Sequence, residues 1–182
     1  MFNMRILYNI SSTTCILQMS LRLPAMIHTA LEQIRNFYAL EDNIATGGQP
    51  APGQFSALRE AGFDVVINLA VPDSPGAISA ENKIIHDLGM VYEHIPVNFK
   101  SPAPSDLDQF FQSMERHRGK KIFVHCAYNW RVSSFMFLWR ILKCRCPVTE
   151  ALRDLHTVWQ PDTIWQTFID TALASYPLNI EP

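Results

Sequence analysis

A chain of 182 residues with 48% hydrophobic and 18% charged side chains can bury the core of one domain, which excludes an intrinsically disordered protein. Fifteen Lys and Arg residues against seventeen Asp and Glu residues give a formal net charge of -2. No run of like charges stands out, so we expect neither a nucleic-acid partner nor a membrane partner. A small anionic ligand is compatible with this balance, and the oligomeric state stays open.

Four cysteines are too few, in a chain with an ordinary core, to form a disulfide framework. They are Cys15, Cys126, Cys144 and Cys146. A reducing, cytoplasmic setting is therefore expected. Cys144 and Cys146 form a C-x-C pair, but two thiolates without a second pair are half a zinc site. We expect no metal and no cofactor.

The first 25 residues read as a tail. Arg5 precedes a moderately apolar stretch that Asn9 and the polar residues 11–14 interrupt. No segment reaches the roughly 18 apolar residues that a membrane span requires. The tail is either an over-extended start, with translation beginning at Met26, or a weak signal segment, which would place the protein in the periplasm. Residues 26–182 are predicted to form a single domain.

Two hydrophobic periodicities alternate from residue 30 onward. Residues 31–40 predict a short amphipathic helix, and residues 43–50 predict a short strand that ends at two glycines. A helix over 51–63, ending on Gly62, leads into an apolar, buried strand over 64–70. The pattern then repeats, with a helix ending at Gly89 and a strand over 91–97.

The second half of the chain continues with a helix over 101–120, a strand over 121–126 and helices over 131–143, 147–158 and 161–175. This order predicts an α/β fold with a mostly parallel central sheet, right-handed crossovers, helices on both faces and a helical C-terminal part. Ligands of such sheets bind at the carboxyl ends of the strands. Cys126 stands at one of these ends.

The stretch "VHCAYNWRVSS", residues 124–134, carries the chemistry. A tight loop at the start of a helix directs backbone N–H groups inward, which favours an anion and stabilises a thiolate nucleophile at Cys126. The planar guanidinium of Arg131 suits two oxygens of a tetrahedral oxyanion. A hydroxyl at Ser133 or Ser134 could bond the sulfur and help it leave. A lone cysteine after an apolar strand is more often a buried apolar residue, and the combination is what favours function.

Other residues of this stretch have two interpretations each. His125 could be a base, but we favour a role in orienting the loop through hydrogen bonds. Ala127 and Asn129 would contribute backbone N–H groups to substrate binding. The rings of Tyr128 and Trp130 could stack on an aromatic substrate or pack as lids.

Residues 36–170 resemble the cysteine-dependent protein tyrosine and dual-specificity phosphatases, and more closely a bacterial family of phosphatase-like domains of the domain-of-unknown-function type. The resemblance is carried by "NIATGGQP", "AGFDVVINLA", "YEHIPVNF", "GKKIFVHCAYNWRVSSF" and "VWQPDTIWQTFI". It implies a phosphate-binding loop, Cys126 as nucleophile, Arg131 as phosphate clamp and a phosphocysteine intermediate. The substrate would be a phosphorylated small molecule or a phosphoprotein.

The loop departs from the usual phosphatase pattern in length and composition. Four residues separate Cys126 from Arg131, where tyrosine phosphatases have five, and Val132 stands where their arginine would fall. A four-residue spacing also resembles rhodanese-type sulfurtransferases, whose cysteine carries a persulfide. Asn129 replaces the loop glycine, and asparagine tolerates a left-handed backbone next best.

The general acid is the third departure. Phosphatases usually carry an aspartate where this chain has Asn98, and an amide cannot supply the proton. Asp106 and Asp108 fit better as charges at a helix N-terminus, whereas Asp73 is either an acid or a turn residue. Three hypotheses result: a phosphomonoesterase, a sulfurtransferase, and a phosphate-binding module with little turnover.

Overall fold

The computed structural model describes residues 29–176, which form a five-stranded sheet with helices on both faces. The strands, listed in chain order, are β1 (Tyr38–Glu41), β2 (Ile44–Gly47), β3 (Val65–Asn68), β4 (Val91–His94) and β5 (Ile122–His125). Their order across the sheet is β1-β2-β5-β3-β4, with β1 antiparallel to β2 and the other neighbours parallel. The mostly parallel α/β sheet expected from the sequence is confirmed.

The helices follow the predicted order. A helical turn over residues 29–32 precedes the sheet, and the later helices are α1 (Gln54–Glu60), α2 (Glu81–Asp87), α3 (Pro104–Arg116), α4 (Trp130–Leu142), α5 (Val148–Val158) and α6 (Thr163–Ser175). Gly62 and Gly89 end α1 and α2 with φ values of 86° and 73°. Residues other than glycine are strained at such positive φ values, so both predicted helix ends are confirmed.

The sheet separates two hydrophobic layers because side chains alternate along each strand. Val65 and Ile67 of β3 face a layer formed with α3, α4, α5 and α6. Val66 faces the opposite layer, which α1 and α2 cover with Phe55 and Leu58 among others. Burial on both faces explains why these strands read as continuous apolar runs rather than as alternating ones.

Helix α4 lies in the centre of the larger layer. All of its residues except Trp130 and Leu142 are buried, including Arg131 and Arg140. A helix that is surrounded by protein on all sides has little freedom to move. Its first turn contains the last residues of the loop that follows β5. The position of that loop is therefore set by the core.

The helix predicted over residues 31–40 is wrong in its second half. Helical structure ends at residue 32, and Tyr38–Glu41 is an edge strand that pairs with β2, with Tyr38 opposite Thr46. Asn36 reverses the chain with a φ of 49°. The Tyr38 hydroxyl donates to Asp154 on α5 at 2.8 Å. Local periodicity reveals neither the strand pairing nor the hydroxyl contact, which joins residues 116 positions apart.

Between residues 29 and 176, no helix has both the length and the apolar character required to span a membrane. The interpretation of residues 1–25 as a tail or signal segment concerns residues outside the described range.

Candidate active site

Cys126 lies at the carboxyl edge of the sheet, directly after the central strand β5. Its side chain is 2% exposed, and its N–H donates to the Gly47 carbonyl of β2 at 3.4 Å. The His125 carbonyl accepts from the N–H of Leu69 after β3 at 2.8 Å. Neighbouring strands thus hold the cysteine on both sides, at the edge where ligands of parallel sheets bind.

The loop of residues 126–131, called here the Cys126 loop, turns through Asn129. This residue has φ 68° and ψ 0°, the left-handed conformation expected for the position of the absent glycine. Its side-chain amide donates to the Asn36 carbonyl at 2.7 Å and to the Thr46 hydroxyl at 2.9 Å. Asparagine therefore makes the turn and also ties it to β2 and to the segment before β1.

The carbonyls of the Cys126 loop are held from outside. The Ala127 carbonyl accepts from the Gln49 N–H at 3.3 Å, and the Tyr128 carbonyl accepts from the Asn36 side-chain amide at 2.9 Å. Within the described part of the chain, no acceptor takes the N–H of Ala127, Tyr128 or Trp130. Unused donors at the start of a helix are an arrangement that suits an anion.

Gly48 allows this close approach of the loop to the sheet. A Cβ at this position would lie 2.9 Å from the Ala127 carbonyl oxygen and 3.0 Å from that of Arg35. Both contacts are with backbone, which cannot yield easily. The two glycines that end the strand predicted over 43–50 thus lie directly behind the Cys126 loop.

Arg131 is buried next to the cysteine with neutral partners. Its Nη1 donates to the Leu69 carbonyl and its Nη2 to the Ser74 hydroxyl, both at 3.2 Å, and the side chain is 6% exposed. The buried Nε has no partner among the described residues. Burial lowers the pKa of Arg131, while the charges of Cys126 and Asp73 oppose this shift. The guanidinium thus lies within electrostatic range of the Cys126 side chain and retains one free donor.

His125 belongs to a buried polar network behind the loop. Its Nε2 lies 3.0 Å from Oε1 of Glu81, with the two side chains 0% and 2% exposed. Asn68 donates to the same carboxylate at 2.8 Å and Gln49 at 2.5 Å. Burial tends to raise the pKa of Glu81, but the bonds from His125 and Gln49 outweigh it, so that pKa is lowered. An ionised Glu81 fixes the imidazole, which agrees with an orienting role for His125 rather than that of a base.

The two serines after Arg131 bond to the backbone instead of the sulfur. The hydroxyls of Ser133 and Ser134 each donate to the Trp130 carbonyl at 3.1 Å. Among residues 29–176, no hydroxyl group forms a hydrogen bond with the Cys126 sulfur. The expected contact from Ser133 or Ser134 to the leaving sulfur is not formed in this conformation.

The candidate acids are divided between local structure and the site. Asn98 accepts from the Lys100 N–H at 2.9 Å and so caps its own turn. Asp106 accepts from the Ala103 N–H at 3.1 Å at the start of α3, and Asp108 accepts from the hydroxyl of Tyr176.

Asp73 is exposed and adjoins Ser74, the partner of Arg131. Of these residues, Asp73 is the carboxylate that acts electrostatically on Arg131.

The aromatic residues of the loop have different surroundings. Trp130 stacks on Trp159 with ring centroids 5.1 Å apart and an interplanar angle of 5°. Phe99 contacts Trp130 at 5.9 Å and lies 5.8 Å from the Arg131 guanidinium. Tyr128 lies under the Arg35 guanidinium at 4.7 Å. Trp130 therefore packs mainly against protein, whereas Tyr128 lines a cleft beside the loop.

The described residues contain no cluster of three or more His, Cys, Asp or Glu side chains that could hold a metal ion. Cys144 and Cys146 are free thiols after α4, and burial raises the pKa of each. Among the described residues, no other potential metal ligands cluster with these two cysteines.

Sequence reasoning missed Arg35, Asn36, Ser74 and Glu81. Each reaches the loop through contacts that span 44 or more residues, such as Glu81 with His125 and Ser74 with Arg131. Asn36 and Asn129 both have positive φ. Asparagine adopts this conformation more readily than most residues, so these two residue types were the one sequence signal of the turns that meet here.

The comparison with protein families matches residues 27–167 to the family described as "DSP-PTPase phosphatase fused to NAD+ Kinase". Among solved structures, a DUF442 protein of Shewanella putrefaciens CN-32, proposed to be a phosphatase, is 32% identical with a TM-score of 0.73. The match covers 81% of this chain and 97% of that chain. No curated protein sequence matches the chain.

Two more distant structures share the fold. The core catalytic domain of the PP-IP phosphatase SIW14 from S. cerevisiae is 15% identical with a TM-score of 0.65, covering 81% of this chain and 88% of that one. Tk-PTP is 19% identical with a TM-score of 0.62, covering 80% and 98%. At these identities the likeness concerns architecture alone. The dual-specificity-phosphatase-like fold predicted from the sequence is confirmed.

Proposed function

The chain belongs to this family of DSP-PTPase phosphatases, and from that premise we propose that it hydrolyses phosphomonoesters with Cys126 as nucleophile and Arg131 as clamp on the phosphoryl oxygens. The observation that supports this most is the buried Arg131, whose partners are neutral and whose Nε is unpaired. A buried guanidinium is costly without an anion. A phosphoryl group held by the loop N–H groups would supply that anion.

The reaction proceeds in two displacements. The Cys126 thiolate attacks phosphorus, the bond from phosphorus to the ester oxygen breaks, and the alcohol leaves with a proton. Water then attacks the phosphocysteine, the sulfur–phosphorus bond breaks, and inorganic phosphate leaves as the thiolate is restored. Arg131 and the loop amides act on the charge that develops on the equatorial oxygens in both steps.

The leaving oxygen requires a proton, which an acidic side chain near the Cys126 loop must supply. Asn98 cannot supply it, and Asp106 and Asp108 are engaged at α3 and with Tyr176. We propose Asp73 as the acid because it is exposed and adjoins the Ser74 contact with Arg131. General acid catalysis contributes about a hundred- to ten-thousandfold, so an unassisted enzyme would be limited to activated aryl esters.

Hydrolysis of p-nitrophenyl phosphate, measured with EDTA present, tests the proposal in the wild type, Cys126→Ser and Arg131→Lys. We expect activity in the wild type and loss in both variants. If the wild type is as inactive as Cys126→Ser, the phosphatase proposal falls. Thiocyanate formation from thiosulfate and cyanide would then favour the sulfurtransferase suggested by the four-residue spacing, and vanadate binding without turnover would favour a phosphate-binding module.

Setting and substrate follow from the chemistry. A thiolate nucleophile works in a reducing compartment, so we propose the cytoplasm of a bacterial cell, where Cys126 stays a free thiol. The substrate is a phosphorylated small molecule or a phosphorylated side chain of a protein. Neither requires a cofactor.

A further inference from the structure

A cleft of ≈ 380 Å³ opens beside the Cys126 loop and has no role in the chemistry described above. Ala127 and Tyr128 form its border with the loop. The far walls are mainly apolar and rigid, since they include Pro50, Pro52, Pro75 and Ile78. Among the lining residues, Arg35 is the one that carries a charge.

The segment that carries Arg35 is fastened by three hydrogen bonds, two to the Cys126 loop and one to Gly48 behind it. The Arg35 carbonyl accepts from the Gly48 N–H at 2.7 Å. The Asn36 side chain donates to the Tyr128 carbonyl at 2.9 Å, and the Asn36 carbonyl accepts from Asn129 at 2.7 Å. The backbone of Arg35 is therefore held in a constant position relative to the loop, although its side chain is exposed.

The charge of Arg35 is directed over the Tyr128 ring, with the guanidinium carbon 4.7 Å from the ring centroid. This contact orients the guanidinium without neutralising it. No carboxylate in the described range forms a salt bridge with Arg35. The positive charge is thus available to a ligand in the cleft.

Tyr128 connects the Cys126 loop to this charge, because its ring contacts the Arg35 guanidinium. Tyr128 follows Cys126 by two residues, so their Cα atoms are at most about 7.6 Å apart. A phosphoryl group seated in the Cys126 loop would place the rest of an ester over Ala127 and Tyr128. The apolar walls accommodate a ring or a short apolar body, and Arg35 lies beyond it.

We propose that Arg35 selects substrates whose leaving group carries a second negative charge, such as a carboxylate or a second phosphate, about one ring away from the reacting phosphorus. This inference rests on the proposed phosphatase activity of the loop. It adds a specificity determinant outside the Cys126 loop.

Two esters that differ by one charge provide the test: 4-carboxyphenyl phosphate and its methyl ester. The acid should be favoured by kcat/KM in the wild type, and Arg35→Gln should lower the ratio of acid to methyl ester about fivefold, as expected for an exposed ion pair. Arg35→Lys should retain most of the ratio. Arg118→Gln is the matched control, because it removes an equal charge before β5, at the opposite end of the sheet. Added salt should reduce the ratio in the wild type.

The same comparison made by binding separates this inference from the proposed function. In a Cys126→Ser background, which does not turn over, calorimetry should show that the acid binds more tightly than the methyl ester, and that Arg35→Gln removes the difference. If the wild type hydrolyses neither ester, the proposed function falls, and the binding measurement still decides the role of Arg35. Equal losses for both esters in Arg35→Gln, or equal binding of both esters in the Cys126→Ser background, would overturn the selection of a second charge.

Discussion

Helix α4 contains two buried arginines nine residues apart, and their surroundings differ completely. Arg140, 5% exposed, contacts three carboxylates: Asp154, Glu150 at 2.5 Å and Glu41 at 3.7 Å. Arg131, 6% exposed, contacts a carbonyl and a hydroxyl. One guanidinium is neutralised within the protein, and the other is not.

The pKa values of the two arginines follow from this difference. Burial lowers the pKa of both, but Asp154 and Glu150 more than compensate at Arg140, whose pKa is raised. The pKa of Arg131 remains lowered. A protein that needs only stability pairs its buried cations, because an unpaired one costs several kcal/mol. The exception at Arg131 is therefore the feature that supports the proposed anion site.

The largest expected effect is on turnover at Arg131. Arg131→Lys keeps the charge but loses the planar fork, and we expect kcat/KM for p-nitrophenyl phosphate to fall by about a hundred- to a thousandfold. The free energy of unfolding should change by only about 1 kcal/mol, since lysine keeps the charge and the hydrogen bonds that are lost go to neutral partners. Steady-state kinetics and urea denaturation check the two parts. A loss of stability as large as the loss of activity would mean that Arg131 is structural.

Arg140 should show the reverse pattern. Arg140→Met leaves Asp154 and Glu150 without their cation and should cost about 3 kcal/mol in the free energy of unfolding. Activity per folded molecule should stay within about twofold, because Arg140 lies at the far end of α4 from the loop. The double variant with Asp154→Leu should recover part of the stability. An intact unfolding midpoint in Arg140→Met would contradict the assignment.

Glu81 sharpens the comparison because it is a buried carboxylate near the loop that pairs with His125 and not with Arg131. Glu81→Gln should lower the free energy of unfolding at pH 7 by about 1–3 kcal/mol. Since folding lowers the pKa of Glu81 from its ordinary 4.5, its stabilising contribution is present above that pH and is lost as the pH falls below it. The wild type and Glu81→Gln should therefore converge in acid.

Chemical denaturation between pH 3 and pH 7 measures this convergence. Glu60→Gln on the exposed face of α1 is the control and should follow the wild type throughout. A constant difference between Glu81→Gln and the wild type at all pH values would show that the charge of Glu81 is not what stabilises the network.

Sequence reasoning succeeded where the determinants are close together in the chain. Apolar runs and the glycines Gly62 and Gly89 predicted strands and helix ends, and Cys126 and Arg131 could be paired because only four residues separate them. It failed at Tyr38–Glu41, where pairing with β2 overrides helical periodicity. It also missed Glu81, whose burial becomes visible only once α2 is packed against the end of β5.

The smallest expected effect is the stabilisation of the fold by bound phosphate, which distinguishes Arg131 from Arg140 without a measurement of turnover. Inorganic phosphate at ten times its dissociation constant should stabilise the wild type by about 1.4 kcal/mol, since a ligand that binds the folded state adds RT ln(1 + [L]/Kd). For a domain of this size that raises Tm by roughly 3–6 °C. Arg131→Leu should lose the shift, whereas Arg140→Met should retain it from a lower starting Tm. Sodium chloride at matched ionic strength controls for general salt effects. An equal phosphate shift in Arg131→Leu and the wild type would mean that the anion binds elsewhere, and the neutral surroundings of Arg131 would then need another explanation.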